Sequence, residues 1–377
     1  MNKKLLATFT AAFAALIVNA ANTWYVDCQM ADYTGHDGKS SEKAFKTIME
    51  AVTPAASGDT IWVHPGTYNS GTGTCVSSWG WSRVGWNNKK LFLRSTGGAE
   101  KTIIEGHKNF DIENGGSAEG NGVGAMRCFS VYNHTTATYG SVLQGFTFKG
   151  GATVIEKDTS LGHQDQAKMG GGTYVGGQEH AYFVDCIYTE CTARDGAAAY
   201  HGTCIRCRFT GNTCYPGNSI VSASSGGTAR IRLYACVLDH NYNGTLKSTS
   251  NGILIYRALC VNCTVVDNCF GSCCYSVNEY FYNTILWNSG SYNANCTYVN
   301  CIKEAEEKFP IMSTMLTDTR IKAGSAATGA GDGANLAQIT VSQEVIDMVG
   351  LKDYGGNDVA NTGAVRAPSA ASCRTAT

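Results

Sequence analysis

Five segments of the chain lie over one another: "FVDCIYTEC" (183–191), "CIRCRFTGN" (204–212), "LYACVLDHN" (233–241), "CVNCTVVDN" (260–268) and "YFYNTILWN" (280–288), with a shorter "YVNC" (298–301) behind them. In this register Cys186, Cys207, Cys236, Cys263, Asn283 and Cys301 share one position. Tyr188, Phe209, Leu238, Val265 and Ile285 share another two residues on, and Asn212, Asn241, Asn268 and Asn288 align three further along. Residues two apart on a strand share a face, so Ile205, Cys207 and Phe209 are expected on one side and Cys204, Arg206 and Arg208 on the other. The arginines belong outside, which turns Cys207 inward. A constant strand template repeated at variable spacing is what stacked coils with loops of different size produce, so an all-β solenoid of parallel strands is predicted.

The inward cysteines then form a ladder of small apolar side chains. With Cys204 on the opposite face, the two C-x-x-C pairs do not converge on zinc unless the strand breaks between them. A serine at Cys207 is expected to cost more than an alanine, because it buries a hydroxyl. The aligned asparagines suit turns at strand ends, where they tolerate left-handed backbone and bond to the next coil.

Farther up the chain the period changes. Phe45, Ile48, Met49, Val52 and Ala55 or Ala56 make one apolar stripe, predicting a helix that plugs the open end of the solenoid. At the start, Lys3 and Lys4 precede an apolar run from Leu5 to Val18, then the small-residue pattern Val18-Asn19-Ala20. This is a signal peptide over 1–21, too short for a membrane helix of about 20 residues. The mature chain is therefore expected outside the cell, secreted or at the cell surface, with no transmembrane segment. A net charge of -1 gives no footprint for nucleic acid. Forty-four glycines against 5 prolines, with only 16% charged residues, suit many short strands and tight turns. Seventeen cysteines, an odd count, leave at least one thiol unpaired in a monomer.

At this point the chain resembles right-handed parallel β-helix proteins of the pectin-lyase-like class, and its coils look like the repeats of polymorphic outer-membrane proteins. "DGAAAYHGTCIRCRFTGN" (195–212) reads like their glycine-rich turn followed by F-x-x-N, and "GFTFKGGATV" (145–154) like an earlier coil. The stretch from Trp24 to Tyr68, ending in "GDTIWVHPGTY", is similar to the opening segment of secreted β-helix proteins. "RIKAGSAATGAGDGA" and "DYGGNDVANTGAVRAP" are similar to their closing segment. The resemblance implies a single domain over 22–368, with an N-terminal cap at about 22–68, a closing segment at about 318–368 and a tail over 369–377. A C-terminal membrane barrel like that of the polymorphic proteins is not expected.

β-Helix enzymes of this class mostly cleave acidic polysaccharides. The polygalacturonase motifs are missing apart from "RIK" (320–322), which the closing segment explains. Lytic cleavage uses a base, usually Lys or Arg, to take the proton beside a uronate carboxyl, which Ca²⁺ or cationic side chains neutralise. The long stretch between Phe148 and Tyr188 carries His163, Asp165 and Lys168, the candidate catalytic residues. Asp185 and Arg206 fall on the same position of adjacent coils, with Arg194 and Arg208 near them. These four, with Trp79 and Trp81 as sugar-stacking rings, are the candidate substrate-binding residues; a surface salt bridge is the favoured reading of the charged residues, and gap-filling explains the rings equally well. The partner expected is an extracellular polysaccharide or cell-surface glycan, bound or cleaved by a lyase-type protein. A non-catalytic adhesin or structural envelope protein is the alternative. Ca²⁺ is the cofactor the lytic chemistry would admit, and zinc is not expected.

Overall fold

The computed structural model describes residues 21–72, 80–114, 117–133, 140–154, 165–177, 181–215, 219–223, 230–244, 252–274 and 279–303. Residues 1–20 of the expected signal peptide, the expected closing segment and tail, His163 and Trp79 lie outside the described residues. Every strand pair that forms a ladder is parallel, in sheets of ten, nine, seven and three strands among the described residues. Successive coils add one strand to each sheet in turn. The chain is a right-handed parallel β-helix, with the hand that parallel crossovers take. The ten-strand sheet runs from Thr23–Val26 through Thr203–Ile205 to Thr297–Val299, and the nine-strand sheet from Gly66–Tyr68 through Arg208–Thr210 to Ile302–Lys303.

The corners between sheets are made by single residues in left-handed conformation. Between the ten- and nine-strand sheets these are Asp185, Arg206, Ala235, Asn262, Asn283 and Asn300, with φ from 49° to 56°. After the nine-strand sheet come Gly150, Glu190, Gly211, His240, Asp267 and Asn288, with φ from 43° to 66°. Each corner reverses which parity points inward. The expected division of "CIRCRF" into two faces is therefore corrected. Cys204 stands in the inward column with Phe183, Leu233 and Cys260, fully buried. Ile205 faces the other way, into a separate cluster with Val142, Val184, Tyr234 and Val261. Arg206 breaks the strand, and Cys207 turns inward again beyond it.

The fifth repeat also shifts by one residue. Tyr282 pairs with Val261 and Ile285 with Thr264, so Thr284 rather than Asn283 takes the cysteine position. By the same shift Leu286 stands opposite Val265, and Ser289, not Asn288, completes the asparagine row. The corner decides this register, since the residue that tolerates positive φ is Asn283, in line with Asn262 and Asn300.

One pattern recurs at the residue after most corners. That residue points inward and donates to a carbonyl of the preceding coil, and in most coils also to the carbonyl two residues behind it. Cys207 Sγ donates to Ile205 O at 3.5 Å and Phe183 O at 3.2 Å. Cys236 repeats this on Tyr234 and Cys204, and Cys263 on Val261 and Leu233. Thr284 Oγ1 meets Tyr282 O at 2.9 Å. At the second corner Asn212 Nδ2 donates to Thr210 O and Tyr188 O at 3.3 and 2.9 Å, and Cys191 Sγ to Thr189 O and Phe148 O. The cysteines are thus small inward donors where a bend loosens the ladder. Burial pushes the Cys186, Cys204, Cys236 and Cys260 thiols well above their ordinary range.

One consequence reverses the order expected for position 207. Thr284 shows that a hydroxyl can do the donor's work, so Cys207→Ser should cost under about 1 kcal/mol, while Cys207→Ala, which loses the donor and leaves a small cavity, should cost about 1–2 kcal/mol. Urea unfolding measures both, and a serine variant less stable than the alanine one contradicts the corner rule.

At the N-terminal end the helix is short, Ile48–Val52, opened by a capping box in which Thr47 and Glu50 exchange hydrogen bonds. Ile48, Ala51, Val52 and Ala55 are buried in the main core, with Phe45 and Met49 partly buried against it, while Phe45 bridges Val26 before the helix begins.

Candidate functional site

The seven-strand sheet includes Trp81–Asn87, Met126–Asn133, Thr173–Gly177 and Ala199–Tyr200, with Trp81 opposite Met126 and Phe129 opposite Thr173. The residues at which successive coils reach this sheet form an edge along the solenoid axis. Met169 bridges Asp195 and Ala193 pairs with Cys214, so Lys168, Arg194 and Tyr215 follow one another in a row; Trp81 pairs with Met126, in line with Gly170, and Val123 lies three residues before Met126. Trp81 is 42% exposed, Val123 48% and Tyr215 39%, and Phe110 and Ile112, on the insertion that leads to Met126, are also exposed. These five are the exposed large hydrophobic side chains among the described residues, and all belong to this edge or its insertion.

The 3₁₀ turn Asp165–Lys168 is held to the next coil by its last carbonyl. Lys168 O accepts from Arg194 N at 3.2 Å and Asp195 N at 3.4 Å, and Gly170 N donates to Asp195 O at 2.9 Å. Arg194 Nε lies 2.8 Å from the Asp195 carboxylate. Lys168 and Arg194, proposed from separate stretches of sequence, therefore stand side by side on adjacent coils, Trp81 falls in line with Gly170 two register positions farther along, and Asp165 opens the same turn as Lys168.

The other candidates are placed elsewhere. Arg206 makes a two-pronged pair with Asp185 across the first corner, at 2.6 and 2.7 Å. Arg208 does the same with Asp239 on the outer side of the nine-strand sheet, at 3.0 and 2.6 Å. Both guanidiniums are thus engaged by carboxylates, as Arg194 is by Asp195. Asp239 and its neighbour His240 were not singled out from the sequence. Their signal is a carboxylate at an outward strand position followed by an imidazole at a corner otherwise built largely from Gly, Asp and Asn.

A second group missed by the sequence lies on the outward face of the seven-strand sheet. Tyr174 and Tyr200 stack at 5.5 Å, the Arg127 guanidinium sits 5.1 Å over the Tyr174 ring, and Arg127 Nε donates to Met169 O at 2.8 Å. His201 stacks on Tyr200 at 4.4 Å. Burial, with the Arg257 charge adding to it, lowers the His201 imidazole to about 4, so it is neutral at physiological pH. Tyr174, Tyr200, His201 and Arg127 are all buried.

No protein-family model matches the chain, and no curated protein does. Solved structures share its general course at low identity. A pectin methylesterase, PemA from Erwinia chrysanthemi, is 13% identical, with 77% of this chain and 91% of that chain covered at a TM-score of 0.46. A pectin methylesterase in complex with a hexasaccharide is 15% identical, with 82% and 95% covered at 0.44. The pectate lyase Pel9A is 12% identical, with 89% and 96% covered at 0.41. Similarity at this level carries no chemistry across, and the fold stands on the parallel ladders and corners described above.

Among the described residues no helix is long and apolar enough to cross a membrane, and no group of three His, Cys, Asp or Glu side chains is placed to hold a metal ion.

Proposed function

We propose that this protein is secreted and binds an acidic extracellular polysaccharide along the edge where its coils reach the seven-strand sheet. The observation that carries this is the row of Lys168, Arg194 and exposed Tyr215 on successive coils, with exposed Trp81 two register positions away where an earlier coil enters the same sheet. Aromatic rings stack on sugar faces, and ammonium or guanidinium groups pair with carboxylates. The edge advances about 4.8 Å per coil, so the four steps from Trp81 to Tyr215 extend about 19 Å, a path suited to an extended polymer. Lys168 is assigned the neutralisation of a uronate carboxylate, which serves binding and, if the chain cleaves, elimination as well. A non-catalytic surface role is the second reading. It is favoured by Phe110, Ile112 and Val123, whose exposed apolar side chains suit a protein partner better than a sugar.

The test is affinity electrophoresis of the mature protein in gels containing polygalacturonate, alginate or a neutral glucan. Retardation by the acidic polymers alone is expected. Trp81→Ala, Lys168→Ala and Arg194→Ala should each weaken it about 5-fold or more, roughly 1 kcal/mol, with the unfolding midpoint nearly unchanged for exposed Trp81 and lowered slightly for the half-buried Lys168 and Arg194. Asp165→Ala, in the same turn, is included as a neighbour. Incubation with and without Ca²⁺, followed for unsaturated ends, separates cleavage from binding. Absence of retardation by every acidic polymer would refute the glycan reading and leave the protein partner.

A further inference from the structure

We propose that His240, held by Asp239 and Arg208, is the general base of a lytic site beside the glycan-binding edge; the inference rests on the acidic-polysaccharide reading and assigns it a reaction. Asp239 is fully buried although it occupies an outward strand position. Its two oxygens are taken by Arg208 Nε and Nη2, and the second also by His240 Nδ1 at 3.0 Å. A carboxylate can only accept, so Nδ1 carries a hydrogen, and in the neutral ring the lone pair is on Nε2. No described residue bonds to Nε2, and the His240 side chain is 31% exposed. An imidazole oriented through Nδ1 by a buried carboxylate, with Nε2 open, is the arrangement of a general base.

The surroundings fit a polymer substrate. His240 and Glu190 occupy left-handed corner positions, at φ 53° and 58°. The other residues of that row are Gly150, Gly211, Asp267 and Asn288, types for which such backbone is cheaper. Gly211 lies between the two, and a Cβ there would meet only Thr189 Oγ1, at 3.6 Å, so a notch opens beside His240. The charged groups around it are Asp239, Arg208, Asp267 on the next coil, and Glu190 with Lys149 3.8 Å from its carboxylate. The wall between this corner and the edge of Arg194 and Tyr215 is the three-strand sheet, whose strands Thr192–Ala193, Thr213–Cys214 and Tyr242–Asn243 are two residues long. Gly244 takes the register position of Tyr215, so His240 stands four residues, about 13 Å, from the edge, and a polymer reaches both by crossing this short wall.

In the step assigned, Nε2 takes the proton from the carbon beside the uronate carboxyl. The C–H electron pair becomes the new C=C bond, the C–O bond to the leaving sugar breaks, and the leaving oxygen takes a proton from water. His240 then returns its proton to solvent, so no oxidant or co-reactant is consumed.

The experiment measures unsaturated-product formation from polygalacturonate and alginate, together with affinity for the same polymers, in wild type, His240→Asn and Asp239→Asn. Asparagine holds this corner at position 288 and aspartate at 267, so His240→Asn preserves the backbone, and His240→Asp serves if it does not fold. Wild type should form unsaturated ends. His240→Asn should lose about 100-fold or more in kcat with KM and polymer affinity unchanged, as expected for a general base. Asp239 is a positioning residue, so Asp239→Asn should lower kcat less and likewise leave KM in place. Wild type that binds an acidic polymer without forming unsaturated ends overturns this inference and leaves the binding reading standing. An undiminished kcat in His240→Asn overturns it as well, while failure to bind any acidic polymer removes both.

Discussion

Replacing Asn241 by leucine is expected to cost about 2–5 kcal/mol, the largest loss from any single polar side chain in the coils. Asn241 Nδ2 donates to Phe209 O and Asn268 Oδ1 at 2.9 and 2.8 Å. Its Oδ1 accepts from Asn212 N and Asn212 Nδ2 at 3.1 and 3.0 Å. The side chain is fully buried, so water does not replace it. Leucine strands the Phe209 carbonyl and the Asn212 N–H, each at about 1–3 kcal/mol. Asn268 Oδ1 still accepts from Asn241 N, and Asn212 Nδ2 still reaches Tyr188 O, which limits the damage to those two groups. Equilibrium urea unfolding should show the drop in midpoint; a leucine variant within about 1 kcal/mol of wild type would mean that the row is decoration.

Acid should destabilise the fold through His201. In the unfolded chain this imidazole titrates near its ordinary 6.5, and in the fold at about 4, because burial first and the Arg257 charge second disfavour its cation. Between these values the unfolded chain binds more protons than the folded one. The stabilisation is therefore fully present above about pH 6.5 and is lost as pH falls toward about 4. A shift of this size corresponds to about 3 kcal/mol. His201→Asn, which tolerates the φ of 60° at this position, should flatten that part of the stability profile. Wild type and variant with the same slope between pH 6.5 and 4 would assign the acid sensitivity to other groups.

The repeat was legible because two kinds of residue recur for one physical reason. Cysteine and asparagine are both small inward donors after a corner, and their spacing exposes the coil even where the rest of each strand has drifted. Direction was harder to read. Alternation assumes a straight strand, and one left-handed residue such as Arg206 resets the parity, so Cys204 and Cys207 share the core and Ile205 does not. In the fifth repeat, overlaying Asn283 on the cysteines placed a corner residue where a donor was needed. The candidate edge was half legible. Trp81, Lys168 and Arg194 were chosen for their chemistry, but their alignment comes from the lengths of three insertions that no local pattern encodes. Asp239 and His240 were hidden because their partner, Arg208, is 31 positions away from Asp239 in sequence and one coil away in space.

The claim that one edge of the solenoid receives an acidic polymer is tested most directly by hydrogen–deuterium exchange of the mature protein with and without saturating polygalacturonate or alginate oligomers. Protection is predicted over 80–82, 165–169, 192–196 and 213–215, with the outer side of the ten-strand sheet, around 142, 184, 205 and 234, unchanged. Protection on that sheet, or none anywhere in the presence of a polymer that demonstrably binds, would contradict the assignment of the edge.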